Sequence, residues 1–364
     1  MTIREVLSIL NTWAPLANAE GFDNVGLLVG DDQKEVSNIL VAHDALETVV
    51  LEAAQKSCNL IVCFHPIIFS GLKQLTGKTY VERAVIQAIK NDIAIFAIHT
   101  ALDNVPHGVN YGMSQALGLT DCSVLIPKEE QLFKLTTYVP HDASQAVTDA
   151  VFKAGAGQLG NYSECHFETE GMGTFKPEAN AQPFVGEKGV RHQQPETQLH
   201  FVFEKDKRDT IIKALKNAHP YEEVAYEITA LVNSHPSLGM GQIGSLEKAM
   251  SPAAFLAHTK QVFDTGGIRH SKIGQKPIQK VAVLGGSGAF AIAAAKRAGA
   301  DAYVTADLKY HDFYQAEDRL LLADIGHYES ERFTKNIIAN YLTEKIRNFA
   351  IILSEENTNP INYF

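Results

Sequence analysis

What most constrains this chain is a recurring pattern of short, unbroken apolar runs separated by amphipathic stretches. Residues 38–42, 60–64 and 93–98 show no alternation of polar and apolar side chains. A strand that is apolar on both faces must be buried on both, as in parallel sheets covered by helices. The covers are at hand. Residues 3–13, 46–56 and 81–90 have helical spacing, with Pro15 ending the first helix and Pro66 closing the second strand. The prediction is an α/β fold with a mostly parallel sheet. His65 and His99 each stand just past a strand's C-terminal end, where open α/β sheets bind ligands.

The style changes between the two ends of the chain. Strands are predicted at 133–139, 199–203 and 224–231, and helices at 143–154 and 206–217. Residues 170–194, rich in Gly, Pro, Asn and Gln, read as hairpin and loop. The order strand-helix-strand-strand-helix-strand fits a ferredoxin-like α+β unit. Breaker-rich joints at 127–131 and 233–241 mark it as an insertion, residues 127–240, into a core built from 1–126 and 241–364. From 242 the first style returns. Strands are predicted at 280–284, 302–305 and 320–324, with an alanine-rich helix to Ala298, a helix over 311–317, and a last helix beginning near Glu329.

Composition narrows the function classes. Thirty-two basic against 42 acidic residues give a formal charge of −10, which argues against general nucleic-acid binding. No apolar run approaches the ~20 residues that span a bilayer. The N-terminal segment lacks a basic stretch followed by a long apolar run. A soluble, cytoplasmic protein is expected. Cys58, Cys63, Cys122 and Cys165 form no CxxC pair and are expected to be reduced.

Five local signals could carry chemistry. In 324–331, a strand ends at Asp324, Gly326 permits a turn, and His327 and Glu331 are spaced i, i+4 on one helix face. Such a pair can grip a cation, or can simply be a helix start with an acidic first turn. His65 before Pro66 points to the ligand end of the sheet. His99 and Asp103 follow the next strand; Asp103 offers a hard oxygen ligand and His99 a general base. Asp44 lies at the same edge. In 306–312, Lys309 could hold an anion and His311 move protons, or the segment could be a plain loop and cap. Gly285–Gly288 between strand and helix suits phosphate or a tight turn. Four of these five fall just after strands, on what should be one edge of one sheet. Mixed histidine and carboxylate donors suit Zn, Mn, Fe or Ni.

At these residues the sequence resembles the Nif3-like family, the GTP cyclohydrolase I type 2 homologs with a dinuclear metal centre. The matching segments are 13–15, 23–30, 65–71, 99–110, 281–288, 305–312 and 324–331, spread over the two ends that together make up about two-thirds of the chain. The middle, with Ala218-His219-Pro220-Tyr221-Glu222-Glu223, resembles the PII-like or CutA-like insert of long bacterial members. The resemblance implies a three-layer sheet-and-helix core and metal ligands at His65, Asp103, His327 and Glu331, with Glu331 bridging. It also implies a toroidal homohexamer and a small-molecule ligand or substrate. One departure matters. The family has two histidines before the proline, and here the first is Phe64, which cannot ligate. The cation held by His65, Asp103 and Glu331 keeps its set, while a second keeps only His327 and Glu331. His43, His99 and Cys63 are the neighbouring donors, and the sequence favours none of them. The implied activity is metal-dependent hydrolysis of a nucleotide or similar phosphorylated small molecule. The alternative is a non-catalytic metal- or ligand-binding regulatory hexamer.

Overall fold

In the computed structural model, which describes residues 1–364, the unbroken apolar runs become short strands. Thr2 starts helix α1 (Ile3–Trp13) with a capping box: its hydroxyl accepts from Glu5 N and its own N–H donates to Glu5 Oε2. There follow β1 (Gly26–Val29), β2 (Ile39–Ala42), α2 (Glu47–Gln55), β3 (Leu60–Cys63), α3 (Tyr80–Lys90) and β4 (Ala94–Ala97). Then come α4 (His99–Asp103), α5 (Val109–Leu117) and β5 (Leu119–Pro127). The middle segment holds β6 (Leu132–Pro140), α6 (Ser144–Lys153), β7 (His166–Phe175), β8 (His192–Glu204), α7 (Arg208–Ala218) and β9 (Tyr226–Ala230). The chain continues with β10 (Gly239–Met250), α8 (Pro252–Phe263), β11 (Arg269–His270), β12 (Ile278–Ser287), α9 (Ile292–Arg297) and β13 (Ala302–Ala306). It ends with β14 (Leu321–Asp324), α10 (His327–Glu331), α11 (Thr334–Lys345) and β15 (Ile351–Leu353).

Two compact units result: Met1–Pro127 with Pro236–Phe364, and Lys128–His235. The first unit contains two sheets, where the sequence pattern led us to expect one. Sheet one runs β1-β4-β3-β2-β15, with β2, β3, β4 and β15 parallel and β1 antiparallel at the edge. Sheet two runs β11-β14-β13-β12-β10-β5, parallel only over β12, β13 and β14. Each half of the core winds its own parallel centre. Strand β1 is a short antiparallel edge, and β5 and β10 carry mixed polar and apolar residues at one side of sheet two, which is why these sequences did not stand out.

Both sheets are covered on both faces. Ile39, Val41, Leu60, Val62 and Phe96 pack with Val6, Leu10, Ile338 and Leu342 of α1 and α11. The alternate residues Leu40, Ala42, Ile61, Cys63 and Ile95 pack with Val49, Val50, Ala84 and Val85 of α2 and α3. In sheet two, Val281, Val283 and Val304 pack with Phe255 and Phe263 of α8, while Ala282, Leu284 and Tyr303 pack with Ile292 and Ala295 of α9. This period-2 division puts a core on each side of every central strand.

The second unit is a four-stranded antiparallel sheet in the order β7-β8-β6-β9, with Leu135, Val151, Phe201, Ile211 and Leu215 buried beneath α6 and α7. Residues 166–175 and 192–204 pair as long strands, so the hairpin extends well beyond the loop expected there. Two helical expectations shift. Residues 310–316 form a 3-10 segment rather than an α-helix, and a helical turn already begins at His327. No helix is long and apolar enough to cross a membrane.

Candidate metal centre

The C-terminal ends of the parallel strands from both sheets meet at Glu331. From sheet one, β2 delivers His43 and Asp44, β3 delivers Phe64 and His65, and β4 leads through Ile98 into His99 and α4. From sheet two, β12 ends in the glycine run, β13 leads to Asp307, and β14 leads through Gly326 into α10. Glu331 is 3% exposed. Its Oε2 lies 3.1 Å from His65 Nε2, 3.2 Å from His327 Nε2 and 3.7 Å from His43 Nε2. These are ion-pair contacts, and Oε2 itself is buried with no hydrogen bond beyond them.

Behind three rings stands a carboxylate. His65 Nδ1 is 2.8 Å from Asp44 Oδ1, His327 Nδ1 is 2.7 Å from Asp307 Oδ2, and His99 Nδ1 is 2.8 Å from Asp23 Oδ1. These carboxylates are themselves held, Asp44 by the Thr358 hydroxyl, Asp307 by Ser287, and Asp23 by the backbone and hydroxyl of Thr100. A carboxylate on Nδ1 fixes the tautomer and turns the Nε2 lone pair inward, as around bound metals.

Electrostatics follow from this crowding. Burial works against charging His65 and His327, but Asp44 and Glu331 carry the first up to about 9, and Asp307 and Glu331 carry the second up to about 11. Burial also works against the Glu331 carboxylate, yet contact with His327 and His65 holds it well below the usual range. His43, deeply buried and beside the His65 charge, is pushed down to about 4. Asp103 is driven well above the ordinary carboxylate range by burial and by the charge of Glu331. Its Oδ1 is buried without a partner, as are both ring nitrogens of His43. An orphaned buried polar group costs roughly 1–3 kcal/mol, so four such atoms around one point call for a partner. A cation bound among them would take one His43 nitrogen and the carboxylate oxygens as donors, in place of the protons that now balance the carboxylates. Two donor triads have ligand atoms within 4.8 Å of one another: His65, His327 and Glu331, and His43, Asp44 and His65. The donor set fits a divalent cation.

Of the sequence candidates, His65, His327 and Glu331 converge directly, and Asp103 lies within the electrostatic reach of all three. His99 stands edge-on to His65, ring centroids 5.3 Å apart. Lys309 and His311 are exposed and make no contact with the cluster; the His311 ring packs on Tyr310 and Tyr314 instead. Their loop reaches the site through Asp307. Asp23 and Asp307 were not among the expected site residues, since each acts only through a histidine distant in sequence.

The glycine run is not an open anion cradle. Gly285 N–H donates to Asn110 Oδ1 and Gly286 N–H to the Ser330 hydroxyl, at 3.1 and 2.9 Å. Gly286 has φ +68°, and a Cβ there would stand 2.4 Å from Glu331 Oε1. Close approach of α10 to β12 is what requires glycine.

With this geometry in place, comparisons with known proteins bear on the chain. Residues 1–360 match the model of the Duf34/NIF3 (NGG1p interacting factor 3) family. A "GTP cyclohydrolase 1 type 2 homolog" of Bacillus subtilis is 37% identical over 99% of this chain and 98% of its own length. A protein of the same description from Staphylococcus epidermidis is 32% identical over the whole of both chains. Among solved structures, a Bacillus cereus protein related to NIF3 superposes with TM-score 0.85 at 36% identity, covering 100% of this chain and 99% of the other.

Proposed function

This chain belongs to the Duf34/NIF3 family, and from that premise we propose that it binds divalent cations at Glu331 and uses them to hydrolyse a nucleotide or similar phosphorylated small molecule. The observation that carries the reading is the convergence of His65 and His327, each braced by its own carboxylate, on the buried Glu331 Oε2, with Asp103 Oδ1 buried without a hydrogen-bond partner and electrostatically coupled to all three. His65, Asp103 and Glu331 would hold one cation, and His327 and Glu331 would take part in holding a second. Zn, Mn, Fe and Ni suit this donor set. When bound, such a cation acidifies water and polarises a phosphoryl or carbonyl oxygen.

The protein's own groups complete the scheme. His99, oriented by Asp23, moves protons at the edge of the cluster. A His–carboxylate pair of this kind serves as a general base. Lys309 and His311 are exposed on the loop that Asp307 anchors; Lys309 would hold the anionic part of the substrate and His311 would move protons. We extend the proposal to a homohexamer with its metal sites facing an internal cavity, which light scattering checks by a mass near six times 39.9 kDa.

The test is metal content and turnover of a nucleotide panel after Mn or Zn loading, in wild type and Glu331→Gln. Loss of bound metal and of hydrolysis together in the variant supports the reading. A wild-type protein that takes up no metal overturns it. A second reading, a ligand-binding regulatory module, is supported by a cavity of about 720 Å³ in the unit Lys128–His235, lined in part by Tyr138, Phe175, Phe184, Glu196 and Tyr221. The element and strand order of that unit supports a ferredoxin-like, PII- or CutA-like assignment. Saturable ligand binding without turnover would favour it.

A further inference from the structure

We infer that His43 is itself a metal ligand, supplying from strand β2 the imidazole that position 64 on strand β3 does not. The inference rests on the reading that the cluster at Glu331 holds divalent cations. Strands β2 and β3 are parallel and in register, with Ala42 paired to Cys63. His43 and Phe64 are the first residues past that last pair, and the Phe64 N–H lies 3.2 Å from the His43 carbonyl. Their rings stand side by side at the tips of adjacent strands, so an imidazole at 43 reaches the space beside a side chain at 64. The Phe64 ring is fully buried and stacks on His43 with ring centroids 5.7 Å apart.

His43 has no other employment for its polar atoms. It is 5% exposed, and neither ring nitrogen has a hydrogen-bond partner. A histidine kept only for packing would be replaced at lower cost by an apolar residue, because a buried ring nitrogen without a partner is destabilising. Its Nε2 is 3.7 Å from Glu331 Oε2 and its ring centroid 4.6 Å from that of His65. Two donors each about 2.0–2.2 Å from a tetrahedral ion stand roughly 3.3–3.6 Å apart. The three imidazole nitrogens, at 3.1, 3.2 and 3.7 Å from the one oxygen, bracket that edge length.

The neighbouring alternatives have prior engagements. Asp44 is bound to His65 Nδ1 and to the Thr358 hydroxyl. The Cys63 thiol is wholly buried against the carbonyls of His65 and Phe96, and burial pushes it above its ordinary range. His99 faces Asp23 with one nitrogen, and its ring is not among the groups that close on Glu331.

The experiment counts cations per chain by elemental analysis after loading with Zn or Mn and removing the excess. Alongside it, the visible spectrum of the Co-loaded protein reports the ligand field. His43→Leu is expected to lose one cation per chain relative to wild type, with a changed Co spectrum. His43→Leu combined with Phe64→His returns the imidazole to the adjacent strand and is expected to restore the wild-type count. An unchanged count and spectrum in His43→Leu overturns this inference while leaving the metal-binding reading intact; an unloaded wild type overturns both. If His43→Leu does not fold, the anomalous difference map of wild-type crystals soaked in Zn decides instead. A peak about 2.1 Å from His43 Nε2 supports the assignment, and occupied sites that all lie beyond about 3 Å from it overturn it.

Discussion

Replacing Gly286 by alanine tests how closely the second sheet holds the candidate ligand Glu331. The new Cβ would stand 2.4 Å from Glu331 Oε1 and 3.3 Å from both Glu331 Cδ and His327 Cε1. Ordinary contact begins near 3.4 Å, so the carboxylate must move by about 1 Å, half the length of a metal–oxygen bond. The backbone adds its own cost. At φ +68° an alanine is in the left-handed region, worth about 1–2 kcal/mol. In a chain this long 1 kcal/mol corresponds to a fall in Tm of about 2–4 °C or less. Gly299 separates the two effects, because it has φ +75° and nothing within 4 Å of its Cβ position. Gly299→Ala meets the backbone cost alone. Both variants are therefore expected to lose a few degrees in Tm, read by circular dichroism with chelator present. Only Gly286→Ala is expected to lose cation affinity, by at least the 10–100-fold that disturbing a metal's surroundings costs, measured by competition with a chromogenic chelator. If Gly286→Ala binds metal as tightly as Gly299→Ala, the carboxylate is not held as described and the argument fails.

Other outcomes follow from the same geometry. Asp44→Asn and Asp307→Asn remove the carboxylates behind His65 and His327; each is expected to weaken cation binding about 10–100-fold with Tm nearly unchanged, and a null effect in the same chelator competition would contradict the bracing role. In the unit Lys128–His235, contact with His235, opposed by burial and aided by Lys207, holds Glu204 down to about 2. A carboxyl depressed on folding stabilises above its unfolded pKa near 4.5 and stops doing so as pH falls toward 2. Protection factors of β8 amides, corrected for intrinsic exchange, are expected to fall across that window, and Glu204→Gln to flatten the response. Phe201 is fully buried between Phe152 and His166. Phe201→Ala is expected to cost about 3–5 kcal/mol and to open this unit to limited proteolysis, and protection equal to wild type would count against the packing argument.

Much of the fold was legible because it depends on local pattern. A run such as 60–64 is apolar at every position only when both faces are covered, and the observed strand is Leu60–Cys63. The same holds for 302–305, observed as Ala302–Ala306. Hidden from that reading were β1, only four residues long, β5 and β10, whose mixed faces look like many loops, and the division of the parallel strands between two sheets. Strand pairing joins residues far apart in sequence, and no local period encodes it. The spacing of His327 and Glu331 was readable for the same local reason, since an i, i+4 pair shares a helix face whatever lies opposite.

His43, by contrast, follows a strand just as His65 and His99 do, and nothing in its immediate sequence distinguishes the three. The chain's own order of residues sets where strands begin and end, which side chains stand at their C-terminal tips, and that position 64 offers an aromatic ring with no donor atom. Only packing sets which of those tips face one another. The two sheets bring residues 43, 65, 327 and 331 together with Asp103 in electrostatic reach, bury Glu331, Asp103 and His43, and leave Asp103 Oδ1 and the His43 nitrogens without hydrogen-bond partners. Burial and orphaning are properties of the whole fold, because they depend on every group that excludes water from the site.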